Sequence, residues 1–367
     1  MKTTLPFYLR LACVLIILIA GGFLAIIGKT VLAPLLFALL FALLLLPLSN
    51  FFENKLRFPR SLAGIVSVII FLIGVSIIIY SLSSQISNLT KEWPSLKEQV
   101  GKLFQNLQTW FESTFNVNAY KQTEYIDKTT SKVLSSSGGI IEQTVVSVST
   151  FLLLSIFTLI YTFFILLYRR HLMRFIVAAF SEKHHSVIYE ISEEIKSIVR
   201  KYITGLFFQM AILVALSSLI FWIIGIKYVF LLALLLGVLN LIPYLGIYTA
   251  LFVGICITFA TSDPHHALYL AIAVIGIHMV DSNFLMPKIV GSQIKINPLI
   301  IILGVVVGEM IWGIPGMFLS VSYLAMAKII FDRVEGMKSW GFLLGEEEEP
   351  NQKIKLKFGK SKKKGED

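Results

Sequence analysis

Two short breaks in long apolar runs, Asn240-Leu-Ile-Pro-Tyr-Leu-Gly246 and Trp312-Gly-Ile-Pro-Gly316, decide how this chain folds. Both lie within residues 227–332, and each places an Ile-Pro step in a strongly apolar segment. A proline removes a backbone donor and clashes with the preceding helical turn. At membrane depth the freed backbone groups are tolerated only where protein or a water-lined cavity satisfies them. The breaks therefore predict Pro-broken or re-entrant helices in the C-terminal half.

The composition excludes an ordinary soluble protein. Charged residues make up only 15% of the 367 residues and hydrophobic residues 56%, whereas a soluble domain has roughly 25% charged residues. The mean hydropathy is +0.80. Several apolar runs reach the roughly 20 residues that a helix needs to cross the hydrocarbon core of a membrane. The fold class that follows is an all-α, polytopic integral membrane protein.

The net charge of +10 does not indicate nucleic-acid binding, because the Lys and Arg residues lie in short loops and in the tail. Positive residues collect on the cytoplasmic loops of membrane proteins. By this rule the basic segments 55–60 and 169–174 are cytoplasmic. Both chain termini are then expected in the cytoplasm, and the polar insertion is expected outside.

Hydropathy and charge divide the chain into six segments. They are three N-terminal transmembrane helices (1–82), an extracytoplasmic helical insertion (83–142), a fourth transmembrane helix (143–168), a cytoplasmic amphipathic helix (169–204), a C-terminal transmembrane transport core with broken helices (205–332), and a disordered charged cytoplasmic tail (333–367). In the insertion, apolar residues from Leu96 to Trp110 follow a heptad spacing, which favours helices that cap the bundle or, alternatively, an oligomer contact. The lysines at the end of the tail are expected to touch anionic membrane lipids.

Several motifs of catalysis and cofactor binding do not occur in the sequence. There is no phosphate-binding loop, no dinucleotide fingerprint, no zinc-ligand spacing and no nucleophile elbow. We therefore expect no cofactor and no metal, and neither an ATP-driven pump nor a membrane enzyme. A single-chain secondary transporter is the economical interpretation, and a non-transporting membrane scaffold is the alternative from another functional class.

Four motifs follow one another in the C-terminal half: Asn240-Leu-Ile-Pro-Tyr-Leu-Gly246, Asp281-Ser-Asn-Phe-Leu-Met-Pro-Lys-Ile-Val-Gly291, Asn297-Pro298, and Gly308-Glu-Met-Ile-Trp-Gly-Ile-Pro-Gly316. In order and spacing they resemble the signatures of the autoinducer-2 exporter (PerM-like permease) family, and the similarity covers nearly the whole chain. The resemblance implies a bacterial inner-membrane transporter of about eight helices that forms homo-oligomers. Members are linked to export of autoinducer-2, to sodium or proton antiport, and to unknown substrates. One departure is Ser322, where the family often has a proline.

Six polar residues within or beside the apolar runs are candidates for binding a solute or an ion: Glu309, Asp281, Asn240, Asn283, Asn297 and His278. Glu309 is the first candidate, because no other charge lies between positions 297 and 323. An ionised side chain at membrane depth is costly unless it is protonated, paired or hydrated. We hypothesise that Glu309 binds a coupling proton or sodium ion, with Asp281 as a second carboxylate and Asn240 as a neutral ligand.

Structural alternatives remain open for these residues. Glu309 could form a buried ion pair with Lys288 or Lys295. Asn240 could cap its helix or form a hydrogen bond across helices. His278 and Asp281 lie three residues apart and could share a proton, or could simply form the polar end of a helix.

A set of glycines and prolines is expected to act through the backbone, by breaking helices or by allowing close helix approach. This set is Pro243, Gly246, Pro287, Gly291, Pro298, Gly308, Gly313, Pro315 and Gly316. A carbonyl freed at a break can hold a cation, and an exposed helix N-terminus can hold an anion. Together these features predict export of a small polar solute coupled to a proton or sodium gradient, with sodium/proton antiport without an organic solute as the alternative.

Overall fold

The computed structural model describes residues 6–91, 137–242, 245–262, 264–290 and 296–346, and every regular element within these ranges is a helix. The β-type pairing in these ranges is limited to one isolated bridge between Ile296 and Gly345. Six helical spans of the described chain are long and apolar enough to cross a membrane, and shorter apolar helices accompany them. The predicted all-α, polytopic membrane fold is confirmed.

The helices of the described chain follow one another in a simple order. They are α1 (Phe7–Ile27), α2 (Lys29–Asn54), α3 (Arg60–Lys91), α4 (Ser137–Ala178), α5 (His185–Ile224), α6 (Val229–Leu239), α7 (Leu245–Thr261), α8 (Pro264–Val280), α9 (Pro298–Trp312), α10 (Ile314–Arg333) and α11 (Lys338–Leu344). A π-helix, Asp281–Val290, continues directly from α8. Short 3-10 turns precede α5 and α11.

Two helices are longer than the sequence pattern predicts. α4 has 42 residues and α5 has 40, so the predicted segment boundaries at 168/169 and 204/205 fall inside continuous helices. Neither helix contains a proline, and Gly205 lies buried within α5. Basic residues mark the passage from lipid to water, but a helix can cross that boundary without ending. α5 ends only at Gly225, whose φ of 81° is typical of a helix C-terminus.

The first predicted break forms a helical hairpin from α6 and α7. The two helices pack together, and Gly254 of α7 lies beside the side chain of Leu232 in α6, as an antiparallel pair requires. Gly246 stands at the turn, where a Cβ atom would overlap the backbone of Leu239. The closed end of this hairpin therefore depends on a residue without a side chain. Pro243 lies outside the described residues.

The second predicted break forms a second hairpin, from α9 and α10. Gly313 separates the two helices with a φ of 68°, and Pro315 sits in the first turn of α10, where its missing N–H group costs nothing. A Cβ atom on Gly316 would overlap the carbonyl group of Gly308. The backbones of the two helices are therefore in direct contact. α10 continues without interruption through Ser322, the position where the family often has a proline.

The other expected helix breakers have different local roles. Pro287 lies inside the π-helix, so the chain accommodates it by widening the helix rather than by ending it. Pro298 occupies the first turn of α9, and the side-chain oxygen of Asn297 caps this helix by accepting from the backbone N–H of Leu299 at 2.9 Å. Gly291 lies outside the described residues.

α5 lies at the centre of the packing. Its C-terminal half contributes Leu213 to an apolar cluster with α6, α7 and α8. Its N-terminal half contributes Ile203 to a second cluster with α2, α9 and α10. Both side chains are at most 2% exposed. One helix therefore packs against both hairpins.

Some predictions concern residues beyond the described ranges. The heptad seam from Leu96 to Trp110 and the charged end of the tail, residues 347–367, lie outside the described residues. The capping arm, the oligomer contact and the disordered tail stay predictions.

Candidate functional site

A buried carboxylate, Asp281, forms the centre of the candidate site. The residue is 4% exposed. Its Oδ1 atom accepts a hydrogen bond from Gln209 Nε2 at 2.6 Å, and its Oδ2 atom accepts one from Asn240 Nδ2 at 3.1 Å. Both oxygens of the carboxylate are thus bound by neutral amide groups. Gln209 is itself 4% exposed.

Three separate segments supply these groups. Gln209 lies on α5, Asn240 is the C-cap of α6 at the turn of the α6–α7 hairpin, and Asp281 begins the π-helix. The C-terminal end of α5 and the N-terminal ends of α6 and α8 lie at the same side of the bundle, because α6 and α7 are antiparallel and short connections join α5 to α6 and α7 to α8. At about 1.5 Å per residue, the three groups lie about 16 to 25 Å from that side. A hydrocarbon core is about 30 Å thick, so the three groups lie within one membrane thickness of that side of the bundle.

Apolar residues surround the three polar groups. Leu213, Leu236 and Ile277 each lie one helical turn from one of them, and each is 2% exposed. All three belong to the apolar cluster shared by α5, α6, α7 and α8. Within the described ranges, no Lys, Arg or His side chain forms an ion pair with Asp281. Within the described residues, two neutral amide groups are therefore the side-chain partners of Asp281.

This arrangement can exchange a proton or a small cation. Removing an ionised carboxylate from water costs several kcal/mol unless the charge is compensated. A proton on Asp281 removes the charge, and a bound cation neutralises it. An amide side chain carries a carbonyl oxygen opposite its NH₂ group, so rotation of Gln209 or Asn240 would present oxygen to a protonated Asp281 or to a cation. The three side chains suit each of these states.

The other predicted polar residues of this region do not bind Asp281. The ring nitrogens of His278 lie 3.4 to 3.5 Å from Ser282 Oγ, and Asn283 Nδ2 donates to the backbone oxygen of Met279 at 2.7 Å. Asn283 is exposed. Because residues four apart share one helical face, these contacts are local to the helix. Asp281 instead faces α5 and α6.

Glu309 lies apart from this group. It is on α9, which packs on α10 and on α1, whereas the π-helix packs on α5 and α8. Glu309 is exposed, and its carboxylate has no hydrogen-bond or ion-pair partner within the described part of the chain. The backbone oxygen of Glu309 accepts from Gly313 N at 2.7 Å and so closes the end of α9. The structure thus brings Asn240 and Asp281 together through a hydrogen bond between two segments, which is the structural alternative left open for Asn240. It does not bring Glu309 to them.

The sequence interpretation missed Gln209. It is the one amide side chain in the apolar run 206–226, and an amide at membrane depth needs a hydrogen-bond partner. That signal was available from the sequence. Its partner on the π-helix was not, because it lies 72 positions away.

The described residues contain no group of three or more His, Cys, Asp or Glu side chains that could hold a metal ion. Asp281 is one carboxylate beside two amides, which is a weak ligand set for a tightly held transition metal. A hard cation such as sodium, exchanged rather than retained, fits oxygen ligands of this kind.

Comparison with known proteins places the chain in a family. The model of the family described as AI-2E family transporter matches residues 15–336. The chain is 25% identical over 313 residues to a Bacillus subtilis (strain 168) protein named "Putative transport protein YrrI", covering 82% of this chain and 86% of the relative. It is 23% identical over 324 residues to the AI-2 transport protein TqsA of Escherichia coli (strain K12), covering 86% of this chain and 90% of that relative. The match spans the bundle, both hairpins and the residues around Asp281, so the chain belongs to the AI-2E family of transporters.

Proposed function

We propose that this membrane protein is a secondary transporter that exports a small polar solute, and that a proton or sodium gradient drives export through Asp281. One observation carries the proposal: Asp281 is 4% exposed within the apolar bundle, and its partners in the described chain are two neutral amides. A charge left in this state is costly. Binding of a proton or a cation relieves that cost, so the site is sensitive to the gradient of either.

The position of Asn240 supports coupling between the ion and the protein conformation. Asn240 is at the turn of the α6–α7 hairpin, and its bond to Asp281 ties this turn to the π-helix. The bond changes when Asp281 gains a proton or a cation. A ligand shifts a conformational equilibrium only if it binds the two states with different affinity. A contact between the ion site and the turn of a broken helix provides such a difference.

The choice of solute rests on the name of one relative. The name of TqsA assigns transport of AI-2 to that protein, and AI-2 is therefore the first solute to test here. A second candidate function is sodium/proton antiport without an organic solute. The same site favours it, because Asp281 with two amide groups can alternate between a proton and a sodium ion.

The test is flux in proteoliposomes. Wild-type protein should move labelled AI-2 outward when either a pH gradient or a sodium gradient is imposed, and Asp281→Asn should reduce the gradient-driven part to the level of empty liposomes. Counter-movement of protons and sodium without AI-2 flux would select the antiport candidate. Full gradient-driven flux by Asp281→Asn would overturn the role of Asp281. If only Glu309→Gln loses flux, the result would indicate that the coupling ion binds at Glu309 instead of Asp281.

We also propose that the protein lies in the bacterial inner membrane with both termini in the cytoplasm. The basic loop after α2 and the basic residues of α4 support this orientation, since they lie at one end of the bundle and are linked through Glu53. In a chain whose Cys13 and Cys256 are replaced by Ser, a cysteine introduced as Ser136→Cys should react with an impermeant reagent in intact spheroplasts. Labelling only after the membrane is opened would reverse the orientation.

A further inference from the structure

At the end of the bundle where α2, α3 and α4 meet, three arginines share one carboxylate. Arg60 Nε lies 3.0 Å and Arg170 Nη2 lies 3.4 Å from Glu53 Oε1, and Arg169 forms an ion pair with Glu53 Oε2. The Glu53 side chain is only 14% exposed. One carboxylate cannot neutralise three guanidinium groups, so the cluster carries an excess of positive charge.

The three arginines differ in exposure and in how many of their N–H groups already have a hydrogen-bond acceptor. Arg169 is 19% exposed and also donates to Ser49 Oγ at 3.4 Å, to Asn50 Oδ1 at 3.0 Å and to the backbone oxygen of Leu166 at 3.3 Å. Arg169 therefore links α4 to α2 through hydrogen bonds and an ion pair. Arg60 and Arg170 are 41% and 56% exposed, and within the described ranges each contacts an acceptor through one nitrogen. Because a guanidinium group has five N–H donors, both keep donors for a further anion.

The surroundings indicate which anion fits. Lys55 and Arg57, in the short loop between α2 and α3, are exposed and have no ion-pair partner in the described chain. In the same region Phe51, Leu56 and Phe58 are 46%, 49% and 37% exposed. This loop directly follows a membrane-length span and precedes another. Positive and apolar side chains exposed together at this level match the boundary between lipid headgroups and acyl chains.

We propose that Arg60 and Arg170 bind the phosphate group of an anionic phospholipid, with Glu53 orienting both guanidinium groups. Phosphate accepts paired hydrogen bonds from arginine in a fixed geometry. The excess positive charge of the cluster favours a lipid whose phosphate is not already neutralised by a cationic headgroup, as it is in phosphatidylcholine. Phe51, Leu56 and Phe58 would contact the acyl chains of the same lipid. A soluble anion or an acidic protein would fit the charge, but neither has a use for the exposed apolar residues. The proposal is independent of the ion at Asp281.

The test compares melting temperatures in lipid nanodiscs. Wild-type protein in phosphatidylcholine nanodiscs should gain stability when phosphatidylglycerol is included, and the double variant Arg60→Gln/Arg170→Gln should lose most of this gain. Native mass spectrometry of protein released from mixed nanodiscs should show retained phosphatidylglycerol on wild type and about tenfold weaker retention on the variant. The matched control is Lys328→Gln/Arg333→Gln, which removes two basic groups that already have carboxylate partners. The control should keep the lipid effect.

Each other outcome decides against the proposal. Equal stabilisation of wild type and double variant by phosphatidylglycerol would show a general charge effect. Stabilisation of wild type by inorganic phosphate in phosphatidylcholine nanodiscs, to the same extent as by phosphatidylglycerol, would identify a soluble anion as the ligand. If the double variant does not fold, Arg170→Gln alone serves, because it removes the longest contact and leaves the two shorter contacts to Glu53. Unchanged lipid retention in that variant would then exclude Arg170 from the site.

Discussion

The α6–α7 hairpin and the α9–α10 hairpin share a sequence pattern but differ in surroundings. Each has a polar residue shortly before an Ile-Pro step, and each needs a glycine where its two helices meet. In the first hairpin, Asn240 reaches Asp281 on another segment. In the second, Glu309 is exposed, and Trp312 at the tip donates from Nε1 to the backbone oxygen of Ala25 at 2.9 Å.

The difference lies in what packs against each hairpin. α6 is covered by α5, α7 and α3, so a polar group at its end is enclosed by protein. α9 packs on α10 and α1, which leaves one face of the helix uncovered in the described chain. The same local pattern therefore yields a half-buried amide bonded to a neighbouring segment in one hairpin and an exposed carboxylate in the other. The surrounding segments, not the break, decide which residue is buried.

The largest expected effect comes from the backbone contact that closes the second hairpin. Gly316→Ala places a methyl group on the carbonyl of Gly308 and should lower the free energy of unfolding by about 3 kcal/mol. Chemical unfolding in mixed micelles measures it. Gly276→Ala is the matched control, since a Cβ atom there meets nothing within 4 Å, and it should be neutral or stabilising. Equal effects of the two substitutions would disprove the close contact.

The next effect concerns the first hairpin and depends on the proposed function. Gln209→Leu and Asn240→Leu each remove one hydrogen bond that stabilises the ion-free, charged Asp281 carboxylate. Such a bond is worth about 2 kcal/mol, so each variant should bind the coupling ion up to roughly 30-fold more tightly. The ion concentration that gives half-maximal flux measures this. Asn283→Leu is the control, because Asn283 bonds only within its own helix. A control variant whose ion affinity changes as much as that of the other two would mean that the Asp281 group is not the ion site.

Smaller effects are expected where the second hairpin is held to the N-terminal helices. Trp312→Phe removes the bond to Ala25, and Tyr323→Phe removes the bond of 2.9 Å to the backbone oxygen of Leu36. Side-chain hydrogen bonds inside membranes average about 0.6 kcal/mol, so each variant should lose about that much stability. Trp340→Phe, in an exposed residue, provides the control. A loss of stability larger than that caused by truncating a buried apolar side chain would show that these bonds hold the whole hairpin in place.

The smallest effect is expected for Glu309→Gln. An exposed side chain without a partner in the described chain should change stability and ion affinity by no more than about 0.5 kcal/mol. Unfolding and flux measured side by side test this. A loss of gradient dependence with normal stability would instead favour the sequence-based hypothesis that Glu309 holds the coupling ion, and would make the two hairpins alike in function.

The fold class and the positions of both hairpins could be predicted from the sequence, because hydropathy, proline and glycine determine the local backbone structure. It also paired Asn240 with Asp281 as ligands of one site. It placed Glu309 at the centre because hydropathy measures how apolar a run is and does not show which face of the run is covered. Gln209 was missed for the same reason, since its importance depends on the Asp281 carboxylate across the bundle.

The helix boundaries show a second limit. Charge at residues 169–174 predicts a change of environment in α4, yet the helix continues, because no proline or left-handed residue ends it. In α5 the amphipathic part and the apolar part are one helix. A change in composition thus does not show where a helix stops.

The continuity of α5 has a mechanical consequence. Its 40 residues form a rod about 60 Å long, and backbone hydrogen bonds in every turn resist any change in that length. Near one end, Glu190 pairs with Arg333 at the end of α10, with 3.1 Å between Oε2 and Nη1. About 28 Å along the same rod, Gln209 holds Asp281. Tilting α5 would therefore move Asp281 and the C-terminal end of α10 together.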